Sequence, residues 1–274
     1  MSTADAPSWT RRAVGVLVGA AVAMVLVGCG ADGASPPGAL EVDRITVAAA
    51  SDLRPAFEEL GQAFEAATGT SVTFSFGSSG QLREQIVNGA PFHLFAAANV
   101  SFVDEVIASG RGVATTKADY ALGRIVLWAP SGVALPKSIE ELTDARYRRI
   151  AIANPDHAPY GLAAEQALKS AGVHDRIRSR LVYGENISDT FRIVQSNNAE
   201  IGIVALSLAI ADGSQYTLVP AELHEPLEQA LVVTSRGEHG NAAAAFARFL
   251  GSPAGREVMV RYGFVLPGEA LPTS

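Results

Sequence analysis

Past residue 43 the chain settles into a regular alternation of short apolar runs and amphipathic stretches. Ile45-Thr46-Val47-Ala48-Ala49-Ala50 is a run of the length and character of a buried strand. It leads into Ser51, a residue type suited to capping a helix, and then Leu53, Phe57, Leu60 and Phe64 recur at helical spacing. Pro55 falls in the first turn of that helix, where a missing N–H costs little, and Gly69 follows its end. Val72, Phe74 and Phe76 alternate with Thr73 and Ser75, which predicts a half-buried strand. Gly77-Ser78-Ser79-Gly80 then opens a short helix carrying Leu82 and Ile86, with Gly89 as its stop. The rhythm predicts strands at 93–98, 125–129, 150–153, 201–206 and 231–234. It also predicts helices around Val103-Val106-Ile107, from Gly161 to Ser170, over 246–250 and over 256–262, the last started by Ser252 as cap and Pro253 at the first helical position.

Strands that alternate with helices build a mostly parallel sheet covered on both faces. About 230 residues of such sequence exceed one compact doubly wound unit, so the expected architecture is two α/β lobes. They divide as 45–122 with 231–274, and 123–230.

The first 44 residues read differently. Arg11 and Arg12 precede fifteen small and apolar residues, Ala13 to Val27, and then Gly28-Cys29-Gly30. Spanning a bilayer as a helix takes about 20 apolar residues, so the run fits the apolar middle of a secretion signal better than a membrane span. Leu26-Val27-Gly28-Cys29 resembles the lipobox of bacterial lipoproteins. That resemblance implies removal of residues 1–28, acylation of Cys29 and an extracytoplasmic, membrane-anchored protein. Residues 29–44, rich in Gly, Ala, Ser and Pro, read as a flexible tether.

Composition narrows the chemistry. The 274 residues are 48% hydrophobic and 18% charged, which excludes a disordered chain. The net charge is −7, with no dense Lys/Arg run, which argues against a nucleic-acid partner. Removing residues 1–28, with two arginines and one aspartate, takes the charge to −8. A lone cysteine allows neither an internal disulfide nor a thiolate metal cluster, and the five histidines lack metal-ligand spacing. Gly77-Ser78-Ser79-Gly80 lacks the Gly-x-Ser-x-Gly spacing of a nucleophile elbow. An exported serine hydrolase would therefore need Ser79 or Ser51 brought within reach of His157 or His93 by the fold.

Three strand-to-helix junctions look alike: Ala50-Ser51-Asp52, Phe76-Gly77-Ser78-Ser79-Gly80, and Pro155 through Gly161. Open α/β sheets bind ligands at such places, and a helix N-terminus with a hydroxyl and free N–H groups favours a small anion. A serine there is as often only a cap, so each junction alone is weak evidence and the three together carry the reading.

Ala48-Ala49-Ala50-Ser51-Asp52-Leu53, Phe76 through Leu82, Gln85-Ile86, Gly89-Ala90-Pro91, Ala153-Asn154-Pro155 to Tyr160-Gly161, Gly202 through Ser207, and Arg261-Tyr262-Gly263-Phe264 resemble the molybdate-binding proteins of bacterial ABC importers. The resemblance spans residues 45–264 in order. It implies a two-lobed type II periplasmic-binding-protein fold, no enzymatic activity and no cofactor. The ligand would be molybdate or tungstate, bound through its oxygens rather than as a free metal ion. An ABC permease is implied as the membrane partner, with the chain itself a monomer. Carried over by position, the oxyanion donors are the hydroxyls and N–H groups of Ser51 and Ser79 and the N–H groups of Asp52, Tyr160 and Ile187. Some members carry a tyrosine where this chain has Ala205, and Phe92-His93 replaces the usual small residue and Asp. Asp52 stands where a neutral residue is commoner; its side chain is expected to lean outward into water. Another tetrahedral oxyanion, such as sulfate, is the alternative ligand on the same fold.

Overall fold

The structure is a computed structural model that describes residues 44–269; the expected signal segment, Cys29 and the expected tether before Arg44 lie outside the described residues. The chain first lays down β1 (Arg44–Ala50), α1 (Arg54–Thr68), β2 (Ser71–Gly77), α2 (Ser79–Val87), β3 (Leu94–Ala97), α3 (Val100–Ala108) and β4 (Ala118–Gly123). It then crosses to β5 (Ile125–Trp128), β6 (Ile150–Ala153), α4 (Pro159–Ser170), α5 (His174–Ile177), β7 (Leu181–Gly184), α6 (Ile187–Gln195), β8 (Ile201–Ala205), α7 (Leu206–Asp212) and β9 (Tyr216–Leu218). It returns as β10 (Leu227–Val233), α8 (Asn241–Leu250) and α9 (Pro253–Arg261).

Two five-stranded sheets result, ordered β2-β1-β3-β10-β4 and β7-β6-β8-β5-β9. This is the expected two-lobed α/β architecture, and each sheet within it is mixed. β1 pairs in parallel with β2 and β3, and β6 with β7 and β8. The antiparallel strands are β10, between β3 and β4, and β5, between β8 and β9. Each is the strand that enters its sheet directly after a crossing between lobes. A strand arriving from the crossing starts at the cleft side and runs away from it, whereas the β-α units run toward the cleft. That direction sends the ends of β1, β2, β6 and β7, and the helix starts that follow them, to one place.

Burial on both faces explains the sequence of β1. Val47 and Ala49 pack into the cluster shared with α1 and α8, and Ala48 faces a second cluster with Leu82, Phe95 and Val103. A strand covered on both sides reads as a continuous apolar run rather than an alternating one. β2, at the sheet edge, is only half covered, as its alternation predicts. The C-terminal helices return to this lobe through aromatic contacts, with Phe246 edge-on to Phe57 and Phe64 at centroid distances of 5.9 and 5.3 Å. α9 starts as expected, the Ser252 hydroxyl accepting from the Gly255 N–H at 3.2 Å ahead of Pro253.

The start of the first helix is corrected. Ser51 is not its cap: Ser51–Leu53 form a separate 3-10 turn, α1 begins at Arg54, and no side chain caps it. β4, β7, α6, α7 and β9 escape the reading of the sequence. They are short, although α6 does carry Ile187, Phe191 and Val194 at helical spacing.

Candidate ligand-binding site

Four chain segments converge on a cleft between the sheets. β1 ends at Ala50 and delivers Ser51 and Asp52; β2 ends at Gly77 and delivers Ser78 and Ser79. From the other lobe, β6 leads through 154–158 to Pro159 and Tyr160 at the start of α4. β7 leads through Asn186 to Ile187 at the start of α6. Asn186 is a true cap, its carboxamide oxygen accepting from the Asp189 N–H at 3.0 Å. These residues surround a cavity of only about 10 Å³, room for little more than one water. That is far below the roughly 300–1,000 Å³ of sites for drug-sized ligands, so the cleft as closed here leaves no room for one. Ser51, Asp52, Ser79, Tyr160 and Ile187, five residues from four separate segments, all line it. No lysine, arginine or histidine does.

The hydroxyls are oriented by what they accept. Ser51 Oγ accepts from the Ser188 N–H at 3.3 Å, and Ser79 Oγ accepts from the Ala98 N–H at 3.0 Å. Both serines are buried. A hydroxyl with a backbone N–H on its oxygen still holds one hydrogen to donate. Together with the N–H groups at the starts of α2, α4 and α6, these hydrogens make an arrangement that favours an anion without any cation.

The lobes meet through direct bonds around this space. The Gly80 N–H donates to the carbonyl of His157 at 3.0 Å, and the Ser78 hydroxyl reaches the same carbonyl at 2.5 Å and His157 Nδ1 at 2.8 Å. Ser188 Oγ donates to the Ser51 carbonyl at 2.8 Å, and the Gln81 carboxamide donates to Glu185. Gly80 permits this approach, because a Cβ there would lie 2.7 Å from the His157 carbonyl oxygen.

Asp52 departs from expectation. Its side chain does not lean into water; it is fully buried. Oδ2 accepts from the Tyr160 hydroxyl at 2.9 Å across the cleft and from Gln229 Nε2 at 2.7 Å. Gln229 Nε2 also lies 3.1 Å from the Tyr160 hydroxyl oxygen. Burial raises the carboxyl from 3.8 to about 6, against the lowering effect of its hydrogen bonds to Gln229 and Tyr160. Two donors from two elements hold the side chain inward more strongly than the field of a short turn directs it out. The sequence reading missed Gln229, although a glutamine inside the apolar run of β10 is a signal that it needs a buried partner. Ser188 and Ser207 were also passed over, the latter donating to the Asp52 carbonyl at 2.7 Å.

The fold does not assemble the hydrolase constellation. Ser78, not Ser79 or Ser51, meets His157, and His93 Nδ1 accepts from the Thr46 N–H at the far end of β1. Among the described residues no cluster of His, Cys, Asp and Glu could hold a metal ion. Ala205 is a buried strand end paired with Ile125 and does not line the cleft. Among the described residues no helix is long and apolar enough to cross a membrane.

Two α/β lobes joined by crossings and closed over a small, donor-lined cleft define a protein that captures solutes. The chain belongs to the family of bacterial extracellular solute-binding proteins, whose model matches residues 45–265. It is similar to the molybdate-binding protein ModA of Rhodobacter capsulatus, 36% identical over 234 residues that cover 85% of this chain and 91% of that one. The ModA protein of Azotobacter vinelandii is 34% identical over 83% of this chain and 92% of its own length. The solved structure of the Azotobacter vinelandii periplasmic molybdate-binding protein superposes with a TM-score of 0.76 at 32% identity, covering 81% of this chain and 99% of that one. These relatives are binding proteins, and so is this chain; it is not an enzyme.

Proposed function

We propose that this protein captures molybdate, and tungstate with it, outside the cytoplasmic membrane and delivers it to the permease of an ABC importer. The observation that carries this reading is the convergence of Ser51, Asp52, Ser79, Tyr160 and Ile187 on one closed cleft that lacks a basic side chain. A dianion withdrawn from water must have its oxygens hydrogen-bonded. Here the hydroxyls of Ser51 and Ser79 and the N–H groups of all five residues supply those bonds, and the helix starts supply the compensating field. The molybdate-binding relatives support the choice of oxyanion. Acylation of Cys29 anchors the protein to the membrane through the tether of residues 29–44, and the chain acts as a monomer.

A thermal-shift panel of oxyanions on protein lacking residues 1–29 tests the assignment. Molybdate and tungstate at 100 times their dissociation constants should each add about 2.7 kcal/mol. That corresponds to roughly 5–10 °C in Tm, with sulfate and phosphate well below it. A panel in which neither group-six oxyanion moves the melting point rejects the reading.

A further inference from the structure

Asp52 sits in a network that is short of hydrogens. Its Oδ2 takes two side-chain donors, the Tyr160 hydroxyl and Gln229 Nε2, and the N–H groups of Asp52 and Leu53 also favour the charged carboxylate, yet Asp52 Oδ1 and Gln229 Oε1 are buried without a partner of hydrogen-bond geometry. No cation offsets the carboxylate. Arg54, two residues on, is turned to Glu58 at 3.3 Å and over the Phe76 ring at 4.4 Å. Arg124, at the crossing between lobes, reaches toward the Val219 carbonyl at 3.5 Å. On the elements packed against the turn, Asp189 of α6 pairs with Arg192, Asp212 at the end of α7 is exposed, and β2 has no titratable residue. His157 faces Ser78 rather than Asp52. From inside, Tyr160 and Tyr120 face the carboxyl, and burial holds both phenols well above their usual range, so both stay neutral.

This same residue lines the cleft. On the oxyanion reading above, a dianion therefore binds beside a buried carboxylate with nothing to screen the repulsion. A proton is the smallest species that removes the negative charge and supplies a missing hydrogen, and Oδ1 is the vacant atom.

We propose that Asp52 is a proton-taking positioning residue: capture of the oxyanion and closure of the lobes load one proton from solvent onto its carboxylate, so the anion is held together with a proton. The neutral carboxyl keeps both bonds on Oδ2, and so keeps Tyr160, from the opposite lobe, in place to present its own N–H. The weakened acidity of the buried carboxyl works in the same direction, since a group already lifted to about 6 needs little further shift to hold a proton at neutral pH. The crossing is shaped around this contact. A Cβ on Gly123 would collide with the Tyr160 hydroxyl and approach Gln229 Nε2 to 2.9 Å.

Titration calorimetry of protein lacking residues 1–29 with molybdate, in two buffers of different ionisation enthalpy and from pH 6.5 to 8.5, counts the protons. Wild type should take up close to one proton per molybdate near neutrality, and its affinity should fall by several-fold per pH unit, at most about tenfold for one proton. Asp52→Asn should show no uptake beyond that of the ligand itself and an affinity constant within about twofold over the range. Tyr160→Phe removes a donor that favours the carboxylate, so its fall in affinity should move to higher pH. Heat without proton uptake in wild type, equal pH slopes in wild type and Asp52→Asn, or an unmoved profile in Tyr160→Phe overturns the inference while the oxyanion reading stands. Absence of heat with molybdate and tungstate overturns that reading, and this inference with it.

Discussion

The backbone N–H of Gly80 donates to the carbonyl of His157 at 3.0 Å, joining the first turn of α2 in one lobe to the loop before α4 in the other. The bond needs a residue without a side chain, since a Cβ at position 80 would sit 2.7 Å from the oxygen it seeks. Gly80→Ala should therefore hinder closure without disturbing either sheet. We expect binding of molybdate to weaken by about 1–3 kcal/mol, the usual cost of one inserted methyl in a packed place, with a ligand-free Tm close to wild type. Equal affinities of the variant and wild type by calorimetry would show that this contact plays no part in the bound state.

Ser51→Ala and Ser79→Ala each remove a hydrogen bond to a charged ligand, worth about 1.5–3 kcal/mol of affinity. Their effects on stability should differ. Ser79 is deep, and its loss strands the Ala98 N–H inside the lobe, which costs on the order of 1–3 kcal/mol. Ser51 accepts from the Ser188 N–H at the longer 3.3 Å across the cleft, so its loss should cost the free protein less. Paired urea-unfolding and binding curves check both halves; undiminished affinity in both variants places the ligand elsewhere.

Asp52 makes stability depend on pH in a stated direction. Its carboxyl is 3.8 when exposed and about 6 when folded. Below 3.8 both states are protonated and burial carries no ionic penalty. As pH rises through the interval the unfolded chain ionises more readily, so native stability falls, by roughly 3 kcal/mol in all once pH exceeds 6. Asp52→Asn lacks this loss. Its stability relative to wild type, measured ligand-free by urea unfolding at pH 4 and pH 7.5, should rise with pH by an amount of that order. A difference independent of pH would contradict the burial of an ionisable group here.

Cys29→Ser should move the full-length protein from the membrane fraction to the soluble fraction or leave it uncleaved. A single acyl chain anchors only marginally and several chains hold firmly, so fractionation after a salt wash separates lipid anchoring from surface adsorption. A variant that fractionates and matures like wild type removes the acylation proposal.

Alternating runs determined the class of fold and most of β1, α1, β2, α2 and the final helices, because buried strands and amphipathic helices have different periods. Ser51 and Ser79 stand out as hydroxyls at strand ends, and Tyr160 falls in the third such junction, whereas the particular donor set, Ile187 above all, comes from the family resemblance and not from the residues alone. That Ser51, Asp52, Ser79, Tyr160 and Ile187 surround one space could not be read from spacing. It depends on two crossings between lobes and on β5 and β10 running against their neighbours, which turns the strand ends of both sheets toward each other. The fate of the Asp52 side chain was decided there too. From the sequence it is a carboxylate at the start of a turn, where water and the local field favour an outward pose. In the folded protein Tyr160 and Gln229 reach it from 108 and 177 residues away in the chain. The burial of a charge is set by donors that only tertiary packing brings together.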